Sequence, residues 1–485
     1  MKQMKKLASL LLALVMVFAM MSVTAFAAGT NTITVKNAVS GQKYELYKIL
    51  DLSVNENKTA YSYAVNSTWA DFFKSPDGKG LTYVNIDTLG YVTWKDGADA
   101  AAFAKDAEAF AKGLTALKTI TADKDGDITF SDLEAGYYLV TSTLGTKATV
   151  GTTPGNPNPE IREKNEVPTN VKTVEEDSTG KYGSSNDADI GQAVNFKSTI
   201  TAQPGAENYV FEDTMSAGLT YNNDAKVYTD EAMTTELAAG NYTVNNNPSD
   251  GKTFTITFAQ SYLDTITAET KLYVKYSATL NENAEVGLPG NENKSTLKYG
   301  DSTNTKSTPD SKTTTYTWDL DILKYGNGDE KNVLENAQFV LLNKDKDKVA
   351  VVVNGKLTGW ADVPAAGADG TITWPSNTIL TTDANGKIEI DGLDADTYYL
   401  REIEAPAGYN KLAQDETVVI TGAVKAEGPD SLTYTTVVAK INNQSGTELP
   451  STGGMGTTIF YVLGSLLVVA AGVLLVTKKR MGSKA

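Results

Sequence analysis

The feature that most constrains the fold is an alternation of apolar and polar residues with a period of two. Runs such as Thr32–Val35 and Thr253–Phe258 show this alternation, and it is typical of strands with one buried face. Helical periodicity is scarce, apart from a segment around Asp99–Leu117 in which Ala and Phe recur at helical spacing. The pattern predicts an all-β chain built as a string of β-sandwiches.

Both ends of the chain carry predicted targeting segments that do not belong to the folded domains. Three lysines within the first six residues precede a long apolar stretch and the small-residue site Ala25-Phe26-Ala27. This order predicts a secretory signal peptide over residues 1–27. Near the other end, an apolar run from Ile459 to Val476 is followed by the cations Lys478-Lys479-Arg480. The run is close to the roughly 20 residues that a transmembrane helix needs, and the cations should stay cytoplasmic.

Charge and composition exclude several classes of function. The formal charge of the full chain is −16, and removing the seven cations of the two terminal segments leaves −23 for the mature part. Such an acidic exterior repels nucleic acid, so we expect no nucleic-acid partner. The chain has no Cys and no His, which excludes disulfides, Ser-His-Asp or Cys-His catalysis and the usual zinc sites. We expect no cofactor and no metal.

A pentapeptide lies directly outside the predicted C-terminal span: Leu449, Pro450, Ser451, Thr452 and Gly453. Pro450 fixes its own φ and removes a backbone donor, which suits an extended peptide in an enzyme groove. The order of motif, span and basic tail resembles the cell-wall sorting signal of Gram-positive surface proteins. The resemblance implies that sortase cuts between Thr452 and Gly453 and passes the Thr452 carboxyl to an amine. The alternative is an ordinary membrane anchor.

Composition and strand patterns divide the rest of the chain into three predicted domains. We place them at residues 28–165, 166–310 and 311–446, followed by the sorting signal at 447–485. The segments Asp132–Thr141 and Asp391–Glu402 both place a turn before Tyr-Tyr-Leu. This weak internal repeat suggests related sandwiches at the two ends of the mature chain.

The third predicted domain resembles a Cna B-type module. The resemblance lies in a first strand ending in Ile322-Leu323-Lys324, in Leu334–Phe339, in a Glu-containing segment at Tyr398–Tyr409 and in a last strand at Ala439–Asn443. It implies an immunoglobulin-like (Cna-type) β-sandwich in which a Lys and an Asn join spontaneously as an isopeptide, with a buried Glu as proton shuttle.

The residues implied by this resemblance are Lys324, Asn443 and Glu402. Burial favours the neutral, nucleophilic form of a lysine amine. A carboxyl kept protonated by burial can polarise the Asn carbonyl and help ammonia leave. Strand alternation favours Asn443, which shares the apolar face of its strand, over Asn442.

The second predicted domain offers a similar set, and it resembles the second domain of streptococcal-type backbone pilins. The resemblance implies a bond between Lys172 and Asn293, with Asp213 as the acid. Alternation places Asp213 and Asn293 on apolar strand faces. Glu212 and Asn291 remain the nearest competitors.

The first predicted domain lacks such a set. Thr141 stands where the third domain has its Glu after Tyr-Tyr-Leu, and no acid is evident for Lys48 on an early strand. We predict no isopeptide there.

Backbone pilins of this family carry a linking lysine in a Tyr-Pro-Lys-Asn motif between the first two domains. Here that boundary reads Arg162-Glu163-Lys164-Asn165, so Lys164-Asn165 matches while Arg-Glu replaces Tyr-Pro. The resemblance implies Lys164 as the residue that attacks the sortase acyl-enzyme.

The resulting interpretation is a structural subunit of a sortase-assembled cell-surface pilus, and not an enzyme. The implied partners are sortase, other copies of the chain and peptidoglycan, with minor tip or basal pilins and host ligands as further candidates. A monomeric, wall-anchored adhesin built from the same modules is the alternative. A secreted carboxylate hydrolase is a weaker third, since no paired-carboxylate motif stands out.

Overall fold

The computed structural model describes residues 29–54, 60–74, 78–300, 305–368, 370–425 and 432–446. The predicted signal peptide and the sorting signal lie outside these ranges. No helix within them is both long and apolar enough to span a bilayer. Over the described ranges the chain forms two compact units, divided after Thr317.

The described chain consists mainly of strands, so the predicted all-β class is confirmed. The alternation seen in the sequence becomes alternation of burial. Along Trp318–Gly326, for example, every second side chain is buried. The helix predicted around Asp99–Leu117 forms over Ala100–Ala111 (α1), where the Asp99 carboxylate caps the amides of Ala101 and Ala102.

The N-terminal part of the first unit corresponds to the first predicted domain. Its strands are β1 (Asn31–Ala38), β2 (Lys43–Val54), β3 (Tyr61–Val65), β4 (Val84–Ile86), β5 (Tyr91–Trp94), β6 (Lys118–Thr121), β7 (Gly126–Leu133), β8 (Gly136–Ser142), β9 (Lys147–Thr152) and β10 (Glu160–Arg162). 3₁₀ helices run over Ser67–Phe73 and Lys79–Thr82. One sheet has the order β4-β5-β3-β2-β8-β9, with β6 beside β2, and a second has the order β10-β1-β7. An aromatic cluster that includes Trp69, Phe72 and Phe103 packs between α1 and the larger sheet.

The rest of the first unit is a sandwich of two sheets. Its elements are β11 (Thr169–Glu176), β12 (Lys181–Gly183), β13 (Ser185–Asp187), β14 (Ala193–Ala202), β15 (Val210–Met215), β16 (Leu219–Tyr221), β17 (Lys226–Tyr228), β18 (Tyr242–Asn245), β19 (Phe254–Phe258), the one-turn α2 (Gln260–Leu263), β20 (Thr270–Leu280), β21 (Asn291–Tyr299), β22 (Lys306–Ser307) and β23 (Ser311–Tyr316). One sheet runs β12-β11-β14-β20-β16, with β17 beside β20. The other runs β13-β23-β21-β15-β19-β18, with β22 beside β21. The buried cluster between them draws on both sheets, with Phe196 and Tyr276 from the first and Phe211 and Phe254 from the second.

The second unit holds β24 (Trp318–Gly326), β25 (Asp329–Val333), β26 (Gln338–Leu342), β27 (Lys348–Val353), β28 (Lys356–Asp362), a 3₁₀ turn (Ser376–Thr378), β29 (Leu380–Thr381), β30 (Lys387–Leu393), β31 (Thr397–Glu404), β32 (Glu416–Val419), β33 (Val424–Lys425), β34 (Leu432–Thr433) and β35 (Val437–Asn443). Its main sheet runs β25-β24-β30-β28-β27-β26-β31-β32. The strand β35 pairs in parallel with β24, so the first and last strands of this unit are neighbours.

The predicted boundary between residues 310 and 311 needs correction. The strand β23 pairs with β21 and β13, which places it in the sheet of the preceding sandwich. Thr313 and Thr315 of this strand are buried. The segment therefore contributes to the second predicted domain, and the division follows Thr317.

Candidate crosslinking sites

Three polar side chains meet in the interior of the second unit. Lys324 on β24 and Asn443 on β35 lie on neighbouring parallel strands, and Glu402 projects from β31. The Lys324 Nζ donates a hydrogen bond to Asn443 Oδ1, and Asn443 Nδ2 donates to Glu402 Oε1 at 2.8 Å. The Lys324 Nζ and Glu402 Oε1 are 3.4 Å apart, and both side chains are fully buried. The structure thus brings together the three residues singled out in this part of the sequence.

The surroundings of Lys324 favour a neutral amine. Burial lowers the pKa of Lys324, although the nearby Glu402 carboxylate acts in the opposite direction. The Phe339 ring centroid lies 5.7 Å from Nζ. The other oxygen of Glu402, Oε2, accepts the Leu412 amide at 2.7 Å, which fixes the carboxylate. The site therefore holds a nucleophilic nitrogen, an amide carbonyl and a carboxyl group in mutual contact.

The neighbouring Asn442 has a different role. From its place on β35 it accepts a hydrogen bond at 2.9 Å from the amide of Gly328, which lies in the turn between β24 and β25. Asn443 is buried instead. Strand alternation separates the two amides in this way.

A second cluster joins the two sheets of the sandwich in the first unit. Lys172 lies on β11 in one sheet, while Asp213 on β15 and Asn293 on β21 lie in the other. The Lys172 Nζ donates to Asp213 Oδ2, and both side chains are fully buried. A fourth residue, Tyr276 on β20, completes the cluster. Its hydroxyl contacts Lys172 Nζ, donates to Asp213 Oδ2 at 2.5 Å and accepts from Asn293 Nδ2 at 3.4 Å.

Burial sets the protonation states in this cluster. It lowers the pKa of Lys172 and raises that of Asp213, in each case against the attraction between the two groups. Both shifts favour the neutral amine and the neutral carboxylic acid. Burial and the Asp213 charge raise the pKa of Tyr276 far above its ordinary value, so this phenol keeps its proton.

The two competing residues in this domain are engaged elsewhere. Glu212 points to the other face of β15 and pairs with Lys298 at 2.5 Å. Asn291 exchanges hydrogen bonds with the backbone of Glu285, each at 3.0 Å. Among the described residues, neither of the two forms a hydrogen bond or ion pair with Lys172.

Lys48 in the N-terminal region has a different environment. Its ammonium lies 2.8 Å from Asp51 and 2.7 Å from Glu134. Glu134 is mostly exposed, so the pair is solvated, and no asparagine in the described residues contacts the amine. The geometry is that of an ordinary ion pair. Thr141 is buried on β8, whose neighbours are β2 and β9.

Lys164 lies on the exposed connection between β10 and β11, and no hydrogen bond or ion pair of its ammonium is seen within the described ranges. The residue before it, Glu163, is buried and anchors this connection. One Glu163 oxygen, Oε1, accepts the amides of Lys164 and Asn165, each at 2.9 Å. Ser142 donates to the other oxygen at 2.8 Å, and Thr146 donates to Oε1. The carboxylate thus fixes the backbone of Lys164 while its side chain points to solvent.

Tyr276 is the site residue that sequence reasoning missed. Its position on an alternating strand predicts burial, but nothing in the local sequence indicates that its hydroxyl meets residues of the opposite sheet. The five residues of the sorting motif, 449–453, lie outside the described part of the chain.

Comparisons with protein families match three segments. Residues 185–303 match a Gram-positive pilin backbone subunit 2, Cna-B-like domain, and residues 319–430 match a prealbumin-like fold domain. Residues 441–481 match the LPXTG cell wall anchor motif. Together these segments cover more than half of the chain.

The chain therefore carries the backbone domain and the cell wall anchor motif of Gram-positive pilins.

Solved structures share the fold of this pilin. The T6 backbone pilin of serotype M6 Streptococcus pyogenes aligns with 15% identity and a TM-score of 0.55, covering 87% of this chain and 100% of its own. The full-length major pilin SpaD from Corynebacterium diphtheriae aligns with 20% identity and a TM-score of 0.51, covering 86% and 98%. No curated protein matches the chain.

The pilin is a structural subunit of a surface pilus anchored to a Gram-positive cell wall. Its anchor motif implies processing by sortase and attachment to peptidoglycan. Its backbone domain implies polymerisation with other subunits. The interpretation as a structural protein and not an enzyme is thereby confirmed.

Proposed function

We propose that this pilin polymerises through an amide between Thr452 of one copy and Lys164 of the next, made by sortase. We further propose that two intramolecular isopeptides form, Lys324 to Asn443 and Lys172 to Asn293. The observation that carries the isopeptide proposal is the buried contact of Lys324 with both the Asn443 carbonyl oxygen and the Glu402 carboxylate.

The reaction at Lys324 needs a neutral amine and a proton carrier. The proton of the ammonium passes to Glu402, and the free amine attacks Cγ of Asn443. The new C–N bond forms, Glu402 passes its proton to Nδ2, the Cγ–Nδ2 bond breaks and Nδ2 leaves as ammonia. The Glu402 carboxylate then takes the second proton from the Lys324 nitrogen, which becomes the neutral amide. The same residue types at Lys172, Asp213 and Asn293 support the same reaction. Each bond removes one ammonia from the mass of the chain.

The exposure of Lys164 supports its role in linkage. An acyl-enzyme must reach the amine from outside, and this ammonium points to solvent beside a backbone fixed by Glu163. Joining Thr452 to Lys164 connects unlike sites, so the interface is heterologous and builds a filament. The partners of this reaction are a sortase, further copies of the chain, peptidoglycan at the base, and any minor tip or basal pilins.

The test of linkage uses cell-wall extracts. Lys164→Arg retains the charge but removes the acylatable amine, so we expect secretion and wall attachment to continue while the SDS-resistant ladder disappears. Lys181→Arg, at another exposed lysine of the same unit, is the matched control and should keep the ladder. A ladder that persists in Lys164→Arg would identify another linking lysine. A wild type without any ladder would favour the monomeric adhesin.

The test of the isopeptides is the intact mass of the secreted chain. We expect a deficit of two ammonias against the sequence mass after signal-peptide removal. Glu402→Ala should restore one, and Asp213→Ala the other. A wild-type mass equal to that of the sequence would refute both bonds.

A further inference from the structure

The two buried clusters differ in how their acid reaches the amide. In the second unit, Glu402 Oε1 accepts directly from Asn443 Nδ2 at 2.8 Å. In the first unit, no described hydrogen bond joins Asp213 to Asn293. The Tyr276 hydroxyl lies between them, 2.5 Å from Asp213 Oδ2 and 3.4 Å from Asn293 Nδ2. The aspartate is one methylene shorter than the glutamate, and the phenol oxygen spans the gap that this leaves.

The Tyr276 ring is held in place by other aromatic residues. It stacks on Phe196 of the neighbouring strand, with centroids 5.5 Å apart and planes inclined by 20°. Phe254 meets it edge to face at 4.9 Å. The hydroxyl is therefore directed at the cluster by packing, and loss of the hydroxyl alone leaves that packing in place.

Two buried oxygens of this cluster have no hydrogen-bond partner among the described residues: Asp213 Oδ1 and Asn293 Oδ1. Buried acceptors without partners are costly and uncommon in folded proteins. The cluster is thus not arranged for maximal stability of the unreacted side chains. Its arrangement suits a reaction that changes the bonding of Asn293.

We propose that Tyr276 is a catalytic residue of the Lys172–Asn293 reaction and relays a proton from Asp213 to the leaving nitrogen. This proposal rests on the isopeptide function proposed above. In the unreacted amide, Nδ2 has no basic lone pair and donates to the phenol oxygen. Once Lys172 attacks Cγ, that nitrogen becomes an amine and can accept a proton.

The proton balance closes without any further reagent. Protonated Asp213 donates to the Tyr276 oxygen while the phenol proton passes to Nδ2. The Cγ–Nδ2 bond breaks and ammonia leaves. The resulting Asp213 carboxylate takes a proton from the Lys172 nitrogen, which becomes the neutral amide. Asp213 and Tyr276 end as they began. The high pKa of Tyr276 fits a group that carries a proton without ionising.

The test follows the two links separately in the same chain. The full chain is synthesised in a cell-free reaction containing detergent, quenched in acid at intervals and digested. Mass spectrometry then measures the peptides joined at Lys172–Asn293 and at Lys324–Asn443. General acid–base catalysis typically contributes about 10²-fold or more, so Tyr276→Phe should slow the first link by about 100-fold. The second link serves as an internal control and should form at the wild-type rate.

Two further variants separate catalysis from packing. Tyr221→Phe removes another largely buried hydroxyl from the same core and should leave both rates unchanged. That hydroxyl accepts the Ala225 amide at 3.0 Å and donates to Asn246 at 3.3 Å, and forms no hydrogen bond to the cluster. Asp213→Glu combined with Tyr276→Phe extends the acid by about 1.5 Å. The Lys172–Asn293 link should form at least about tenfold faster in this double variant than in Tyr276→Phe alone, because the carboxyl then reaches Nδ2 directly.

The outcomes distinguish the relay from the function on which it rests. Wild-type kinetics in Tyr276→Phe, with both links formed, would overturn the relay and leave the isopeptide function intact. Slow kinetics that the longer acid does not relieve would also overturn it, since the hydroxyl would then act by organising the cluster. A wild type that forms neither link would overturn both proposals.

Discussion

Replacing Lys324 by Met should remove one crosslink with little change in packing. Met has a similar length and can pack beside the Phe339 ring, while Asn443 and Glu402 keep the hydrogen bond between them. Lys324 and Asn443 are 119 positions apart. A bond across that distance restricts the unfolded chain as a disulfide would, and the loop-entropy relation gives about 5 kcal/mol for it. Strain in the linked state would reduce this figure.

The loss translates into a shift of the melting temperature. For a domain the size of residues 318–446, an unfolding entropy of about 2.1 cal/mol/K per residue converts 5 kcal/mol into ~18 °C. Reducing agents should have no effect, because the chain contains no Cys. Differential scanning calorimetry of the secreted chain measures the shift, and the transition of the first unit provides an internal reference.

Two controls make the result interpretable. Intact mass must show that the bond is present in the wild type and absent in Lys324→Met. Lys440→Met replaces an exposed lysine of β35 that pairs with Glu330 at 2.9 Å, and should shift the transition little. If the linked and unlinked proteins melt together within a few degrees, loop entropy is not the source of stabilisation and the reasoning fails.

Two other predictions concern the first unit. Glu163→Ala should reduce the yield of the SDS-resistant ladder while both ammonia losses persist, because the Lys164 backbone loses its anchor. Glu166→Ala, at an exposed position, is the matched control. Equal ladder yields from the two variants would contradict the anchoring role. Burial and the neighbouring Glu207 raise the pKa of Glu108 to about 7, with Lys147 and Lys112 acting in the opposite direction. Because the pKa of Glu108 is higher in the folded than in the unfolded state, its protonated form stabilises the fold, and this stabilisation is lost as the pH rises through the folded-state pKa. The first unit should therefore lose stability, by on the order of 3 kcal/mol, between about pH 4.5 and 7. Glu108→Gln should show a flatter profile in calorimetry across that range, and parallel profiles would disprove the assignment.

The period-two pattern of a single strand was sufficient to predict which of two adjacent residues is buried. Alternation along β35 favoured Asn443 over Asn442, and the structure buries Asn443 while Asn442, on the other face of the same strand, accepts the Gly328 amide. The same rule placed Asp213 on the apolar face of β15 and Glu212 on the other. Such decisions need only the period of a strand, which the sequence displays directly.

Other features depended on contacts between distant segments. The strand β23 shows no apolar alternation in the sequence, because its buried face consists of threonines, Thr313 and Thr315. Pairing with β21 and β13 buries them, and the Thr315 hydroxyl donates to Asn186 at 2.8 Å. Tyr276 is hidden for a similar reason. Its strand alternates normally, but its partners Asp213 and Asn293 come from the opposite sheet.

The positions of the two proposed bonds determine which parts of the chain would carry tension in a fibre. With Thr452 and Lys164 as the points of attachment, force entering β35 would cross at Asn443 to Lys324 and bypass residues 325–442. It would then follow the chain back from β24 to Asn293 and cross to Lys172, bypassing residues 173–292. The region before Lys164 lies outside this path and has no need of a crosslink. Within the path, backbone hydrogen bonds and the Lys312–Glu292 ion pair hold β21 to β23, with no proposed covalent bond between them. Separation of this strand pair is where a linked subunit could still lengthen.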